Sequence, residues 1–470
     1  MKILVTGATG FLGKYLLPSL IRKEHSVFAL TRNEESAGFR LPVLCETGTW
    51  SPCSEIPKIP EDIEAVVHLA GAGIGDRRWS CKRKHEIIQS RINSTRHLIE
   101  AMKNLSLKPS VFISASGIGI YGETGEQEAE ENTPSRSGFL ADVCREWEKE
   151  IFKAESFGIR TVAIRFGFIL GKGGVAMERI LPLFRMGLGG PLGSGKQWMS
   201  WIHVTDAADI ILHALENQNI KGTFNAVAPN PATNKVFSRT LGKILGKPNI
   251  FSIPSFILKL GLGEMSELIL RSQKISCKKI IGSDYKFRYK NLEPALREIC
   301  RPPHHSFETE QWVPSSIKET FDFFRDPRNL EKLTPPFLNF QIIGQLPEEM
   351  KNNVRLNYKL SLHGIPLRWQ SKISDWNPPY AFSDAQTKGP YKYWKHLHEF
   401  YQRDGGTLIR DRVEYNLPFE PLADIVAGNF VLKDLEKIFS FRRKIIRKIL
   451  GPTNQDQQKN GKTGDEGKQS

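Results

Sequence analysis

Apolar positions along the chain come first in short unbroken runs and then at helical spacing. Ile3-Leu4-Val5 reads as a buried strand, and Phe11, Leu12, Tyr15, Leu16 and Leu20 follow at the spacing of one helix face. Further runs stand at Val27-Phe28-Ala29-Leu30, Ala65-Val66-Val67-His68-Leu69-Ala70, Ser110-Val111-Phe112-Ile113-Ser114 and Arg160-Thr161-Val162-Ala163-Ile164-Arg165, with helical patterns between them. Strand-helix alternation of this kind predicts an α/β fold, a doubly wound parallel sheet covered on both faces, with ligand at the carboxyl ends of its strands. From Gly171 to about residue 300 the chain turns glycine-rich and then helical, the pattern of a smaller substrate-side lobe.

The pattern changes at Arg301-Pro302-Pro303-His304-His305. A strand near Ser306 to Val313, two short helices between Ser315 and Leu333, and alternating positions such as Val354, Leu356, Tyr358, Leu360 and Leu362 predict an α+β domain over residues 304–450. Asp404-Gly405-Gly406 marks a hairpin turn, and Leu422 to Leu450 reads as one long amphipathic helix gripped by the sheet. Residues 451–470 are polar and expected to be disordered.

Between the first strand and first helix stands Thr6-Gly7-Ala8-Thr9-Gly10-Phe11-Leu12-Gly13. Gly7 permits the tight turn, Gly10 lets backbone approach a pyrophosphate, and Gly13 lets the helix lie close on the strand. Thr6, Gly7, Thr9, Gly10, Phe11, Leu12 and Gly13 are therefore expected to hold a dinucleotide. The motif resembles the extended short-chain dehydrogenase/reductase superfamily, with its Rossmann-type sheet. Arg32 follows the second strand where a carboxylate would bind the ribose hydroxyls of NAD, and arginine there favours the 2′-phosphate of NADP. His68-Leu69-Ala70-Gly71 resembles the superfamily's strand-four motif beside the nicotinamide ribose, and Ser114 ends the next strand close to the same cofactor.

Lysine and arginine exceed aspartate and glutamate, 66 to 51, for a net charge of +15, which suits anionic ligands such as phosphates. The surplus is spread along the chain and no aromatic-interleaved basic module accompanies it, so nucleic acid is not an expected partner. The six cysteines, at positions 45, 53, 81, 144, 277 and 300, form no Cys-x-x-Cys pair and read as reduced cytoplasmic thiols. No secretory signal and no membrane insertion are expected.

In the superfamily, a Ser or Thr after the fifth strand works with Tyr-x-x-x-Lys on the next helix. Ser114-Ala115-Ser116 through Tyr121-Gly122 resembles the first half. The second half is absent: Phe139 and Val143 stand about where the tyrosine and lysine belong, with no Tyr between Tyr121 and Tyr285 and no Lys between Lys108 and Lys149. Ser116 and Tyr121 are the candidate catalytic residues, Ser116 orienting the Tyr121 hydroxyl, with packing near the nicotinamide as the other reading of Tyr121. Asp142, Cys144 and Glu148 on the following helix rank lower. That helix, together with Pro191-Leu192-Gly193, Ser200-Trp201-Ile202-His203 and Pro254 to Leu296, resembles the atypical "epimerase family" proteins, which keep the nucleotide motif without the standard active site. The resemblance puts Arg165, Gln197, Trp201 and His203 on segments lining a substrate pocket, with His203 also readable as a structural hydrogen-bonder.

Residues 306–450 resemble the START-like, polyketide cyclase/dehydrase superfamily, in element order and in the opening Trp312-Val313-Pro314 to Leu333-Thr334-Pro335-Pro336. That resemblance implies an apolar ligand between sheet and helix. His396 and His398 share a strand face, a spacing able to ligate metal, but no third ligand is evident in sequence and no metal is expected. Arg442, Arg443, Lys444, Arg447 and Lys448 read as the solvated basic face of the closing helix, or as contacts to an anionic membrane. The expected function is an NADP-dependent oxidoreductase or epimerase-like protein acting on a small, hydrophobic substrate. The alternative is a non-catalytic NADP sensor or ligand carrier. The oligomeric state is not legible.

Overall fold

A computed structural model describes residues 1–37, 41–42, 45–249, 251–302, 305–403, 405–418 and 422–451. Pro303 and His304 of the expected boundary, Asp404 of the expected hairpin turn and the tail beyond residue 451 lie outside the described residues. The chain forms two compact units, Met1–Arg301 and Pro302–Ser470.

The first unit is built on seven strands: β1 (Lys2–Thr6), β2 (Ser26–Thr31), β3 (Cys45–Thr49), β4 (Ala65–His68), β5 (Val111–Gly117), β6 (Arg160–Phe166) and β7 (Gly222–Ala226). They run parallel in the order β7-β6-β5-β4-β1-β2-β3, so the winding reverses between β1 and β4. This is the α/β architecture that the alternation predicts. The unbroken apolar runs follow from burial on both faces. Ile3 and Val5 join one core with Val27, Val67, Ile113 and Ile164, whereas Leu4 joins the other with Leu30, Val66 and Phe112.

Helix α1 (Phe11–Arg22) puts Leu16, Leu17 and Leu20 into the first core, alongside Ala207, Ala208 and Ile211 of α4 (Val204–Glu216). Helices α2 (Cys81–Asn104) and α3 (Phe139–Ile151) cover the opposite face with Leu98, Met102, Trp147 and Ile151. A smaller lobe gathers around Leu181, Phe184, Trp201, Phe237, Leu241 and Leu296.

The second unit is an antiparallel seven-stranded sheet: β8 (His305–Val313), β9 (Gln341–Ile343), β10 (Arg355–Leu362), β11 (Ile365–Asn377), β12 (Ala381–Lys388), β13 (Tyr393–Arg403) and β14 (Gly406–Asn416). Its order is β8-β14-β13-β12-β11-β10-β9. Two short helices, Ile317–Arg325 and Arg328–Leu333, follow β8, the first opened by a capping box between Ser316 and Glu319. The final helix, Leu422–Leu450, buries Leu435, Phe439, Ile446 and Leu450. The expected basic face of this helix is corrected at two positions. Arg442 is buried, and Arg443 donates to the Thr309 hydroxyl at 2.9 Å and the Glu310 carbonyl at 2.7 Å, because both point at the sheet rather than at solvent. Among the described residues, no helix is long and apolar enough to cross a membrane.

Candidate functional site

At the switch between β1 and β4, Gly7 adopts φ +71° and Gly10 N–H donates back to the Gly7 carbonyl at 2.9 Å. A Cβ on Gly7 would stand 2.7 Å from the Leu69 carbonyl carbon, and one on Gly13 would stand 2.3 Å from the Ala8 carbonyl oxygen. The backbone of Thr6–Gly13 is thus seated against Leu69 and Ala70 with no room for a side chain at either position. Gly10 is the N-cap of α1 and no side chain caps it, so the first N–H groups of the helix, at Phe11 and Leu12, face the turn beside Thr9. The Phe11 ring packs edge-on to Tyr15 and lies under Gly171 and Gly174.

Thr6 Oγ1 ties the two central strands together. It contacts His68 Nδ1 at 2.6 Å and accepts from Ala70 N–H at 3.2 Å, while Ser94 Oγ reaches His68 Nε2 at 3.2 Å. Burial, with the nearby Arg91 charge, pushes the His68 pKa down to about 3, so this imidazole is neutral. Arg91 donates to the Ala72 carbonyl at 3.0 Å and lies against Gly71; nothing in the sequence singled it out. Arg32 stands exposed directly after β2, and Ser114 is fully buried at the β5 pairing with His68.

Beyond β5 the buried polar groups form one network. Ser116 Oγ donates to Glu148 Oε1 at 2.7 Å, and Arg165 grips the same carboxylate in a fork, Nε to Oε1 at 2.8 Å and Nη2 to Oε2 at 2.7 Å. Arg165 Nη1 donates to the Tyr121 hydroxyl at 2.7 Å, which donates in turn to Asn225 Oδ1 at 2.7 Å. Burial works against the Arg165 charge, yet the Glu148 hydrogen bonds and charge carry its pKa upward. Tyr121 is raised by burial, which outweighs Arg165. The structure therefore corrects one expectation: Ser116 is given to Glu148 and does not orient Tyr121, whose hydroxyl is spent on Arg165 and Asn225. Glu148, ranked low in the sequence, is the centre of the network.

The Tyr-x-x-x-Lys position on α3 is apolar in space as well as in sequence. Phe139 packs on Trp79 with centroids 4.9 Å apart, and Val143 is buried with Trp79, Ile87 and Met265. Cys144 lies against Gly117, and burial pushes its thiol up to about 11, a weak nucleophile. Asp142 is exposed and paired with Arg145.

The four residues expected on pocket-lining segments each spend polar atoms on protein partners, and His203 is the structural hydrogen-bonder of its other reading. Arg165 belongs to the buried network. Gln197 Nε2 donates to the Leu192 and Ile269 carbonyls at 2.9 and 3.0 Å, and Trp201 Nε1 to the Asn230 carbonyl at 3.0 Å. His203 caps α4 by accepting from Thr205 N–H at 3.2 Å and faces Glu298 at 3.0 Å, a contact that holds the Glu298 carboxyl below its usual range. Gln197 and Trp201 hold segments of the smaller lobe to one another, and His203 ties the start of α4 to Glu298.

In the second unit, sheet and final helix enclose a cavity of about 200 Å³ lined by Leu356, Tyr358, Trp369, Phe382, Trp394 and Ile438. At its inner wall His396 and His398 meet Asp384, Asp411 and Arg442.

Residues 3–226 match the NAD dependent epimerase/dehydratase family, and residues 253–299 match DUF1731, a domain of unknown function. An epimerase family protein of Bacillus subtilis, YfhF, is 40% identical over 303 residues, covering 64% of this chain and 98% of its own. The chloroplastic SDR39U1 homolog of Arabidopsis thaliana, also named an epimerase family protein, is 39% identical over 310 residues, with 64% and 87% covered. The crystal structure of human epimerase family protein SDR39U1 with NADPH superposes with a TM-score of 0.57 at 32% identity, covering 64% of this chain and 99% of that one. A UDP-glucuronic acid 4-epimerase from Bacillus cereus, at 22% identity and TM-score 0.53, shares the fold. With relatives at these identities spanned over nearly their whole lengths, and with the glycine-framed strand switch in place, the chain belongs to the epimerase family.

Proposed function

We propose that the first unit binds NADP(H), in preference to NAD(H), and is an oxidoreductase or epimerase of the extended short-chain type working without a Tyr–Lys pair. The observation that carries the reading is the cradle at the strand switch: two glycines whose Cβ positions are filled by backbone, and an α1 N-terminus that no side chain caps. That cradle fits a pyrophosphate. The N–H groups at the start of α1 would receive the phosphates, and exposed Arg32 the 2′-phosphate. His68, Leu69, Ala70, Gly71 and Ser114 would form the floor under the nicotinamide ribose. The human relative's structure with NADPH supports the same choice. When bound, the cofactor supplies or accepts the hydride. Ser116 donates its proton to Glu148 at 2.7 Å and keeps acceptor lone pairs, so it would receive a hydrogen bond from a substrate hydroxyl at the end of β5.

A second reading, NADP(H) binding without turnover, is favoured by the Tyr121 hydroxyl, which is committed to Arg165 and Asn225. The second unit is read as a START-like module whose aromatic-lined cavity takes a small apolar ligand, the chain's partner in preference to nucleic acid or membrane. Six free cysteines support a reducing, cytoplasmic setting.

Fluorescence titration with NADPH and NADH tests the cofactor choice. Arg32→Asp is expected to weaken NADPH at least about tenfold, about 1.4 kcal/mol, and to spare NADH. Equal binding of both cofactors by the parent would overturn it. NADPH oxidation over a panel of aldehydes and ketones then separates the two readings. Turnover lost in Ser116→Ala with NADPH affinity kept supports the enzyme, and NADPH binding with no oxidation supports the second reading.

A further inference from the structure

We propose that Asp384, His396 and His398 form a divalent transition-metal site, with one coordination position open to the cavity of the second unit. The antiparallel register makes the cluster. Across β12 and β13, Asp384 stands directly opposite His396, and across β13 and β14, Asp411 stands directly opposite His398. His396 and His398, two residues apart, share the inward face, with ring centroids 3.9 Å apart.

The donor atoms have the spacing of a ligand set. Asp384 Oδ2 is 3.5 Å from His396 Nδ1 and 3.6 Å from His398 Nε2, and all three atoms lie within 4.8 Å of one another. Ligands about 2.1 Å from a tetrahedral ion stand about 3.4 Å apart, so the two carboxylate–imidazole edges need almost no adjustment. Two imidazoles and one carboxylate with an open position are the donor set of a mononuclear transition-metal centre.

Each donor is also held from behind. Asp411 Oδ1 accepts from His396 Nε2 at 3.0 Å and stands 2.6 Å from His398 Nδ1, an ion-pair contact outside hydrogen-bond alignment. Ser371 Oγ donates to Asp384 Oδ1 at 3.3 Å, leaving Oδ2 for the imidazoles. Asp411 stands behind both rings, and Asp384 Oδ2 faces the same space as His396 Nδ1 and His398 Nε2. Backing carboxylates on ligating histidines and a hydrogen-bonded ligating carboxylate are the usual surroundings of a metal. Arg442, buried beside the cluster with Nε unpartnered, offsets one of the two carboxylates. The two carboxylates outnumber the arginine by one, a negative charge that a metal ion between the imidazoles, or a proton on one of them, would balance. The inference is independent of the nucleotide reading of the first unit.

The test uses the full chain, stripped with EDTA and titrated with cobalt(II) by visible absorption, then with zinc in competition with a chromophoric chelator. One equivalent of each metal is expected, with ligand-field bands from nitrogen and oxygen donors. Combined Asp384→Asn/His396→Gln/His398→Gln should abolish binding, and the positioning variant Asp411→Asn should weaken it about 10- to 100-fold while keeping the cobalt bands. Near-ultraviolet circular dichroism checks that each variant is folded. No stoichiometric binding by the parent, which would leave a proton as the balancing cation, overturns the proposal. So do a thiolate charge-transfer band and unchanged binding in the folded triple variant.

Discussion

Gly13 shows how tightly single residues are bound to the nucleotide cradle. A methyl group there would meet the Ala8 and Gly7 carbonyl oxygens at 2.3 and 2.6 Å, both backbone, so α1 must move off β1 to accept it. Gly13→Ala is expected to weaken NADPH binding by about tenfold or more and to lower stability by about 1–3 kcal/mol, read by titration and urea unfolding. Glu148 carries a heavier load, because it is the counter-charge of buried Arg165. Glu148→Ala should cost about 3–5 kcal/mol in urea unfolding, and Arg165→Met in the same chain should recover part of it by removing the stranded charge. His68 gives a pH dependence with a definite sign. Below about 6.5 the unfolded chain binds a proton that folded His68, with its pKa near 3, refuses, so stability falls as pH drops through that window. The stability difference between pH 7 and pH 5 should be smaller in His68→Asn than in the parent.

At the scale of elements, α3 replaces the superfamily's reactive pair by packing. Val143 is 4% exposed among Trp79, Ile87 and Met265, and Phe139 lies on Trp79. Restoring the motif is therefore expected to fail for a physical reason. Phe139→Tyr should be tolerated, since the ring keeps its contacts, whereas Val143→Lys should lower the thermal midpoint by about 5 °C or more as an unpaired ammonium is buried. The same element shows what could be read from sequence. The strand-turn-helix start and the missing Tyr–Lys pair are local patterns, and they were legible. Edge strands β3 and β7 gave little signal, because β3 reads Cys-Glu-Thr-Gly-Thr and is nowhere fully buried. The side-chain roles of Tyr121, Gln197, Trp201 and His203 were hidden, since their partners Asn225, Ile269, Asn230 and Glu298 are brought to them only by the fold. Asp384 and Asp411 were hidden for the same reason: one residue of slip in either strand pairing would send them to the opposite face.

For the whole molecule, the deciding fact is that, among the described residues, the cores of the two units share none. The cores around β1–β7 and the smaller lobe draw on residues from Ile3 to Cys300, and those around β8–β14 on residues from Phe307 to Leu450. Each set of apolar side chains leaves water through contacts within its own unit, so each unit has its own source of cooperativity. A ligand that binds one native unit stabilises that unit by mass action, about 2.7 kcal/mol at a hundredfold excess over its dissociation constant. Scanning calorimetry of the full chain should therefore resolve two transitions, of which saturating NADPH raises one by several degrees and leaves the other in place. Gly13→Ala at the same NADPH concentration should shrink that shift, by about 1.4 kcal/mol for each tenfold loss of affinity. Assignment follows from Val143→Lys, which should lower the NADPH-sensitive transition alone. A single transition displaced as a whole by NADPH would mean that the two units unfold as one, and that contacts outside their separate cores carry the coupling.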